Sequence, residues 1–556
     1  MTKAPFFLLF MLFCAGFSSP GRDGGFPGRP DGFTAGSHWV FFTDKQEGGF
    51  DPYDFFDPKA IDRRLRHGQS LIDPVDFPVT RQYLDAVAQL VDSSDVVSRW
   101  LNAVHVYAGP EVVKKLQSLP FVDRVETAHG MMRLAAHSTG GEVEGQWRDG
   151  VTGSADPDEG GISPEQIESL RQQIGHMQGQ YFHEHGLNGA GFRIAVLDAG
   201  FPGVDKHPAF EHLRRDNRII ATWDFHRNRP DVYRFSDHGT MVLSMIAGQM
   251  DGHMMGLATG AEFLLARTEI WREPYVEEKY WLAAVEWADR MGADIINSSL
   301  GYSYHRYFTE DMDGKTSLVA QAARIAARKG ILVVNSAGNE GENERWRIVI
   351  TPADVDSVLT IGAVEYPSML RTSYSSVGPR PDKTIKPNLV SMGNVLLAKE
   401  SGLANSRGTS FSAPLVAGFA ACLWQKFPAF SNMQLFEVLE RSGSLYPYYD
   451  LSHGYGVPQA GFFFENPAFR SAPTFDLSRQ GEGLAVTIRH NPRNGPEGEN
   501  GERFLFYHIT DPEGIIEQYF VLRVDQPEVV VIDTSRFVPG QRVMVHFEGY
   551  TASRTF

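Results

Sequence analysis

The chain has 556 residues, 42% of them hydrophobic and 22% charged, with a formal net charge of −16. Such a length exceeds one compact core and predicts roughly two to four domains of ordinary globular composition. The acidic balance excludes a nucleic-acid surface, which needs a basic face, and is read as solubility.

Residues 4–17 form an apolar run that follows Lys3 and precedes Ser18-Ser19-Pro20. A basic start, a short apolar stretch and small residues predict a signal peptide over 1–19. Secretion follows, to the exterior or the periplasm, with surface attachment left open. The run falls short of the ~20 apolar residues that span a bilayer, and no later stretch reaches that length, so no membrane span is expected. Cys14 is a poor lipid-anchor site behind the bulky Phe13. Removal of the signal leaves Cys422 as the only cysteine, so the core must hold without disulfides.

Residues 20–37 are rich in Gly and Pro and read as a flexible lead-in. From 38 to 130 the pattern predicts a small α+β unit. Trp39–Thr43 is strand-like, Arg81–Val91 has helical spacing, and Val96–Tyr107 is largely strand-like. Glu111–Leu119 is helical and Val122–Glu126 is again a strand. Residues 131–163 are a linker. Within it the stretch from His137 to Gly161 lacks periodicity and is expected to be exposed and easily cut.

Over 164–465 the apolar runs Arg193–Leu197, Phe263–Ala266, Ile295–Ile296, Ile331–Val334 and Val358–Ile361 are continuous rather than alternating. Strands covered on both faces look like that. Val276–Met291 and Ser317–Lys329 carry helical spacing between them, which predicts an α/β fold with a doubly wound parallel sheet. From 470 to 556 the pattern changes to short alternating strands: Leu484–Arg489, Phe504–Ile509, Tyr519–Val524, Val529–Ile532 and Val543–Phe547. They predict a separate β-sandwich.

In open parallel sheets the reactive groups collect beyond the carboxyl ends of the strands. Asp198 ends the strand Ile194–Leu197, Ser299-Leu300-Gly301 ends that of Ile295–Asn297, and Ser336-Ala337-Gly338-Asn339 ends that of Ile331–Val334. His238 and Ser410 each open an apolar, small-residue segment, Met241–Ala247 and Leu415–Leu423, read as buried helices. Pro414 is expected in the first turn of the second. Asp, His and Ser in that order supply what acyl transfer needs. A serine hydroxyl is a weak nucleophile until an imidazole takes its proton, and a buried carboxylate must orient that imidazole. The Asn339 amide and the Ser410 backbone N–H supply two donors for an oxyanion. Glycines beside Ser410 and Asn339 let a substrate backbone come close.

Over roughly residues 164–462 the chain resembles the subtilisin-like serine proteases. The matching pieces are Val196–Gly200, His238-Gly239-Thr240, Asn297–Gly301, Ser336–Gly341 and Gly408-Thr409-Ser410-Phe411-Ser412-Ala413-Pro414, with His453–Val457 resembling the turn that closes such domains. The resemblance implies that Asp198 orients, His238 is general base and acid, Ser410 is the nucleophile, and Asn339 lines the oxyanion hole. It also implies that Ser299-Leu300-Gly301 pairs with the substrate backbone. The specificity pocket would lie between Ser299–Gly301 and Ser336–Asn339, with the loop Glu342–Arg347 at its base. Two positions depart from the family: Ala199 stands where Thr or Ser is usual, and Met241 where many relatives carry a second histidine. By position and pattern, 38–130 is compatible with the family's propeptide, an intramolecular inhibitor and folding aid. The linker would then hold the processing site.

Each residue has a plainer reading when taken alone. Asp198 could be a helix cap, His238 a satisfied core histidine, Gly408–Ser410 a turn and cap, and Asn339 a left-handed turn residue. Their order and context carry the case. His183-Glu184-His185 is read as solvated surface, since i and i+2 residues do not share a helix face. Glu310–Gly314 lacks the later ligands of a calcium loop and is read as a solvated acidic turn. Structural calcium is implied by the family alone, at no assigned site, and no cofactor is required for the chemistry. Trp271, Tyr275, Tyr280 and Trp281 are read as core packing rather than a cleft lining.

The sequence thus predicts a secreted serine endopeptidase acting on protein or peptide substrates through an acyl-enzyme on Ser410. The alternative is a secreted binding protein that keeps the fold and lacks activity. A lipase-type hydrolase would need a G-x-S-x-G elbow and the order Ser, Asp, His, neither of which occurs around Ser410.

Overall fold

The computed structural model describes residues 36–45, 49–128, 161–270, 276–304, 306–465, 473–489, 502–524 and 528–556, with the backbone of 152–154. The signal peptide, nearly all of the lead-in, most of the linker, and Trp271 and Tyr275 lie outside the described residues.

The first unit is a four-stranded antiparallel sheet. It comprises β1 (Gly36–Phe42), helices α1 (Pro58–Arg66) and α2 (Arg81–Ala88), β2 (Ser93–Ser98), β3 (Ala103–Ala108), α3 (Pro110–Gln117) and β4 (Val122–Thr127), in the spatial order β2-β3-β1-β4. Successive side chains of a strand point to opposite faces. Val40 and Phe42 therefore pack with Val87 of α2 and Leu116 of α3. Trp39 and Phe41 face the other way, into a core shared with the next unit. The single strand-like stretch Val96–Tyr107 is two strands with a turn between, and α1 is a helix that hydrophobic spacing did not reveal.

The second unit holds α4 (Pro164–Gly175), β5 (Arg193–Asp198), β6 (Ile219–Asp224), α5 (His238–Ala247), β7 (Glu262–Arg267), α6 (Glu277–Arg290), β8 (Ile295–Ser298), α7 (Leu318–Arg328), β9 (Leu332–Ser336), β10 (Val358–Glu365), β11 (Leu370–Arg371), β12 (Leu389–Met392), α8 (Thr409–Lys426) and α9 (Asn432–Arg441). Its sheet runs β11-β10-β9-β8-β5-β7-β6, with β12 also paired to β10, and only β11 is antiparallel. Helices cover both faces, as the apolar runs require. Ile194 and Val196 of β5 pack with Met245 of α5 and Phe419 of α8, while Ala195 and Leu197 pack with Trp281 of α6 and Ala323 of α7. Trp281 is wholly buried and its Nε1 donates to Ser298 Oγ at 3.0 Å, a core role.

Helix α8 is buried from Thr409 to Trp424, which accounts for its all-round apolar character. It begins at Thr409, so Pro414 sits in the second turn and not the first. Proline there lacks the N–H that would bond to the carbonyl four residues back, that of Ser410. Ser299 Oγ donates to that carbonyl instead, at 2.8 Å.

The third unit has β13 (Phe475–Gln480), β14 (Gly483–Ile488), β15 (Arg503–Thr510), β16 (Ile516–Val524), β17 (Val529–Asp533), β18 (Arg542–Phe547) and β19 (Tyr550–Thr555). Two antiparallel sheets, β13-β14-β17 and β16-β15-β18-β19, close around one apolar core that includes Val486, Leu505, Ile532 and Val545. Phe506 and Met544 pack on Leu445 and Tyr448 of the second unit, and His508 Nδ1 donates to the Tyr449 carbonyl at 2.7 Å.

Candidate active site

Strand β5 delivers Asp198 to the carboxyl edge of the sheet, where the Thr268 N–H donates to its carbonyl at 2.9 Å. Helix α5 begins at His238 directly against it. Gly239 permits this approach, because a Cβ there would lie 2.9 Å from the Asp198 Cβ and 2.4 Å from the Gly200 carbonyl oxygen. His238 Nδ1 and Asp198 Oδ1 are 2.7 Å apart, and the Ala199 N–H donates to the same oxygen at 2.7 Å. A carboxylate on Nδ1 assigns the proton there and leaves Nε2 as the basic nitrogen. Asp198 is wholly buried, and its Oδ2 has no hydrogen-bond partner among the described residues.

The His238 ring lies 5.7 Å from that of Phe411, beside the first turn of α8. Ser410, 1% exposed, is in that turn, and its Oγ–H donates to the Ser299 carbonyl at 3.4 Å. The first N–H groups of a helix have no acceptor within it, so the Ser410 N–H is a donor available at this edge. Asn339 Oδ1 accepts from the Thr409 N–H at 3.0 Å and contacts the Thr409 hydroxyl at 2.9 Å. A backbone N–H only donates, so these contacts assign the amide oxygen and leave Nδ2 as an oriented donor.

Asp198, His238, Ser410 and Asn339 are thus brought together from four strand or helix ends. Ser299 and Leu300 are buried beside them, and Gly301 is half-buried. The Leu300 carbonyl already accepts from Asn335 Nδ2 at 2.9 Å. A side chain at 301 would strike Ile350, whose Cδ1 lies 2.4 Å from the Cβ position. Ser336, Ala337 and Gly338 are buried too, and their polar backbone is used internally. The Ala337 N–H donates to the Ile361 carbonyl at 2.9 Å, its carbonyl accepts from Ile350 at 3.1 Å, and the Gly338 carbonyl accepts from Ser376 at 2.9 Å. They form a wall, not a pairing edge. At the expected pocket base, Asn343 Nδ2 donates to Glu340 Oε2 at 2.9 Å, while Glu342 and Glu344 are exposed. Sequence reasoning missed the side chains of Ser299 and Thr409, which hold the Ser410 carbonyl and the Asn339 amide. The only signals for them were the Pro414 defect and the Thr in Gly408-Thr409-Ser410.

Beyond β7, Glu269 is buried with its Oε1 3.0 Å from Tyr302 Oη, and burial pushes its carboxyl up. Burial and the facing Glu269 carboxyl push Glu277 up to about 11. This pair holds a proton at neutral pH and so adds less negative charge beside Asp198. His183 and His185 are exposed surface residues. Asp311 and Asp313 accept backbone N–H groups of Phe308, Lys315 and Thr316 at 2.7–2.8 Å, so their carboxylates serve the turn. Among the described residues no three His, Cys, Asp or Glu side chains converge to hold a metal, and no helix is long and apolar enough to cross a membrane. Burial pushes the Cys422 thiol up, which leaves it an inert core residue.

A serine at a helix N-terminus, a carboxylate-held imidazole and a positioned amide on a doubly wound sheet define the class of serine hydrolases that act by acyl transfer. Residues 189–457 match the family described as the subtilase family, peptidase S8, and residues 37–141 match the peptidase S8 propeptide domain of Bacteroidota. Subtilisin NAT of Bacillus subtilis subsp. natto is 30% identical over 286 residues, covering 51% of this chain and 68% of that protein. Subtilisin Savinase of Lederbergia lenta is 28% identical over 271 residues, 48% of this chain and 89% of that one. The crystal structure of fervidolysin from Fervidobacterium pennivorans, a keratinolytic enzyme related to subtilisin, aligns over 94% of this chain and 91% of its own with a TM-score of 0.52 at 16% identity. The chain belongs to the subtilase family of serine peptidases and carries that family's propeptide domain.

Proposed function

We propose that this peptidase is secreted as a precursor and cleaves internal peptide bonds through an acyl-enzyme on Ser410. The precursor reading divides the chain into signal 1–19, lead-in 20–37, propeptide 38–130, linker with processing site 131–163, catalytic domain 164–465 and C-terminal β-domain 470–556. Ser410 exchanges its 3.4 Å hydrogen bond to Ser299 for one to His238 Nε2, then attacks the substrate carbonyl as His238 takes its proton. Asp198 keeps the imidazole in the productive tautomer and stabilises it once charged. Asn339 Nδ2 and the Ser410 N–H receive the oxyanion. His238 then protonates the leaving amine, and water repeats the sequence to release the acid. Ser299-Leu300-Gly301 receives the substrate backbone as an added strand, and Ser336-Ala337-Gly338 walls the pocket.

The observation that carries this reading is the 2.7 Å Asp198–His238 pair beside the first turn that presents Ser410. Calcium enters only as an inheritance of the family, and no step of the chemistry passes through it. The test is hydrolysis of a casein substrate by chain cut between residues 128 and 161 and separated from its N-terminal piece, with Ser410→Ala beside it. Activity in the first and none in the second is expected. Equal hydrolysis by both would refute the assignment of Ser410.

A further inference from the structure

The side chain before the cleaved bond has to enter between the two walls that flank the nucleophile. One wall is Ser299-Leu300-Gly301 after β8, and Ser299 Oγ donates to the Ser410 carbonyl at 2.8 Å. The other is Ser336-Ala337-Gly338 at the end of β9, where the Gly338 N–H donates to Thr409 Oγ1 at 3.2 Å. Each wall is thus tied to a residue in the first turn of α8, and each carries a glycine. Bare backbone on both walls leaves room between them for a side chain.

In this chain that room is already taken. A Cβ on Gly301 would lie 2.4 Å from Ile350 Cδ1 and 2.5 Å from its Cγ1, and a Cβ on Gly338 would lie 3.0 Å from each of the same two carbons. Carbon atoms pack at about 3.5–4.0 Å, so the Ile350 side chain fills the space that both glycines leave. Its backbone is pinned from either side. The Ile350 N–H donates to the Ala337 carbonyl at 3.1 Å, and residues 302 and 351 exchange N–H to carbonyl bonds at 2.9 and 3.2 Å. Met312 and Trp346 pack with Ile350 in one apolar cluster. A β-branched side chain held in this way has few rotamers to turn to. Of the loop Glu342–Arg347, Trp346 backs this cluster, while Glu342 and Glu344 are exposed.

We propose that Ile350 is the floor of a shallow specificity pocket, and that the enzyme cleaves after glycine, alanine or serine in preference to any larger residue. The inference rests on the peptidase reading of the site and adds its substrate class. Glycine and alanine ask for little room beside Ile350. An aromatic ring or a long basic side chain enters only if Ile350 is displaced, and overpacking of a filled site is unfavourable. A basic residue would also bring its charge against an apolar floor. Hydrophobic pockets discriminate by roughly 10–200-fold per methylene, so phenylalanine should fall far behind alanine.

The test uses chain cut between 128 and 161 and separated from its N-terminal piece, with tetrapeptide anilides that differ only in the residue before the cleaved bond. Alanine should exceed phenylalanine in kcat/KM by about 10²-fold or more. Ile350→Ala should raise the phenylalanine-to-alanine ratio by about 10²-fold. Ile350→Val removes Cδ1 alone and puts folding at less risk, and it should raise the ratio of 2-aminobutyrate to alanine by roughly tenfold. The same peptides are titrated calorimetrically into Ser410→Ala, where binding needs no turnover. There alanine should bind about tenfold more tightly than phenylalanine. Hydrolysis of none of the anilides would count against the peptidase reading, and the binding arm would then decide the pocket. Phenylalanine turned over or bound as well as alanine, or ratios unmoved by both Ile350 variants, would overturn the inference.

Discussion

Ser299→Ala removes a single oxygen, and the structure says what that oxygen does. It donates to the Ser410 carbonyl at 2.8 Å and accepts from Asn297 Nδ2 at 3.2 Å. The Ser410 carbonyl needs it because Pro414 has no N–H to complete the helical bond. Alanine leaves a buried carbonyl and a buried amide without those partners, each costing about 1–3 kcal/mol less whatever relaxation recovers. A net loss of ~2 kcal/mol in a catalytic domain of this size corresponds to a Tm lowered by about 3 °C. It also frees the turn that presents the nucleophile, so kcat should fall roughly tenfold with KM nearly unchanged, because the backbone of 299–301 is untouched. Ser299→Thr keeps a donor and should recover most of both. Pro414→Ala supplies the missing N–H, so Ser299→Ala should cost much less in that background, with a coupling of ~1 kcal/mol or more in the double-mutant cycle. Differential scanning calorimetry and steady-state hydrolysis of a chromogenic peptide read the two effects. Strict additivity, or a Ser299→Ala protein with wild-type Tm and kcat, would refute the reasoning.

Asn339→Ala should lower kcat by about 10²–10³-fold with little change in KM, the loss that follows removal of the side-chain oxyanion donor of a subtilisin. Asp198 Oδ2 has no partner among the described residues, and a hydroxyl from Ala199→Ser that bonded to it would, at about 1 kcal/mol, raise kcat roughly fivefold. A fall in kcat would show that Oδ2 is better left alone. His176 is buried, its Nε2 accepts from the Met392 N–H at 3.2 Å, and burial pushes its pKa down to about 4. With the folded value below the unfolded 6.5, its stabilising effect is complete above pH 6.5 and is lost as pH falls towards 4. The total is roughly 3 kcal/mol, and denaturant unfolding of His176→Asn should show a shallower pH dependence across that window than wild type.

The catalytic sheet was legible because its strands are buried on both faces and read as continuous apolar runs, as in Ile194–Leu197. The site was legible because Asp198, His238, Asn339 and Ser410 sit where those strands end or the buried helices begin. Helix α1 was not. Two of its four buried residues are Arg63 and Arg64, paired with Asp289, and the other two, Ala60 and Ile61, make an apolar stripe too short to read as a helix. Pro414 misled for a related reason. A proline marks a first turn only when the carbonyl four residues back has no other donor, and Ser299, remote in sequence, supplies one. The walls at Ala337 and Gly338 likewise depend on Ile350, Ile361 and Ser376, contacts that only the folded chain defines.

The central claim, an activated serine at position 410, is tested most directly by intact-mass analysis after a fluorophosphonate reagent, on chain cut between 128 and 161 and separated from its N-terminal piece, with Ser410→Ala and His238→Ala beside it. One covalent adduct on the wild-type protein, mapped to Ser410 and absent from both variants, is the expected result. No adduct on folded, cut wild type, or an adduct that persists in Ser410→Ala, would contradict the account.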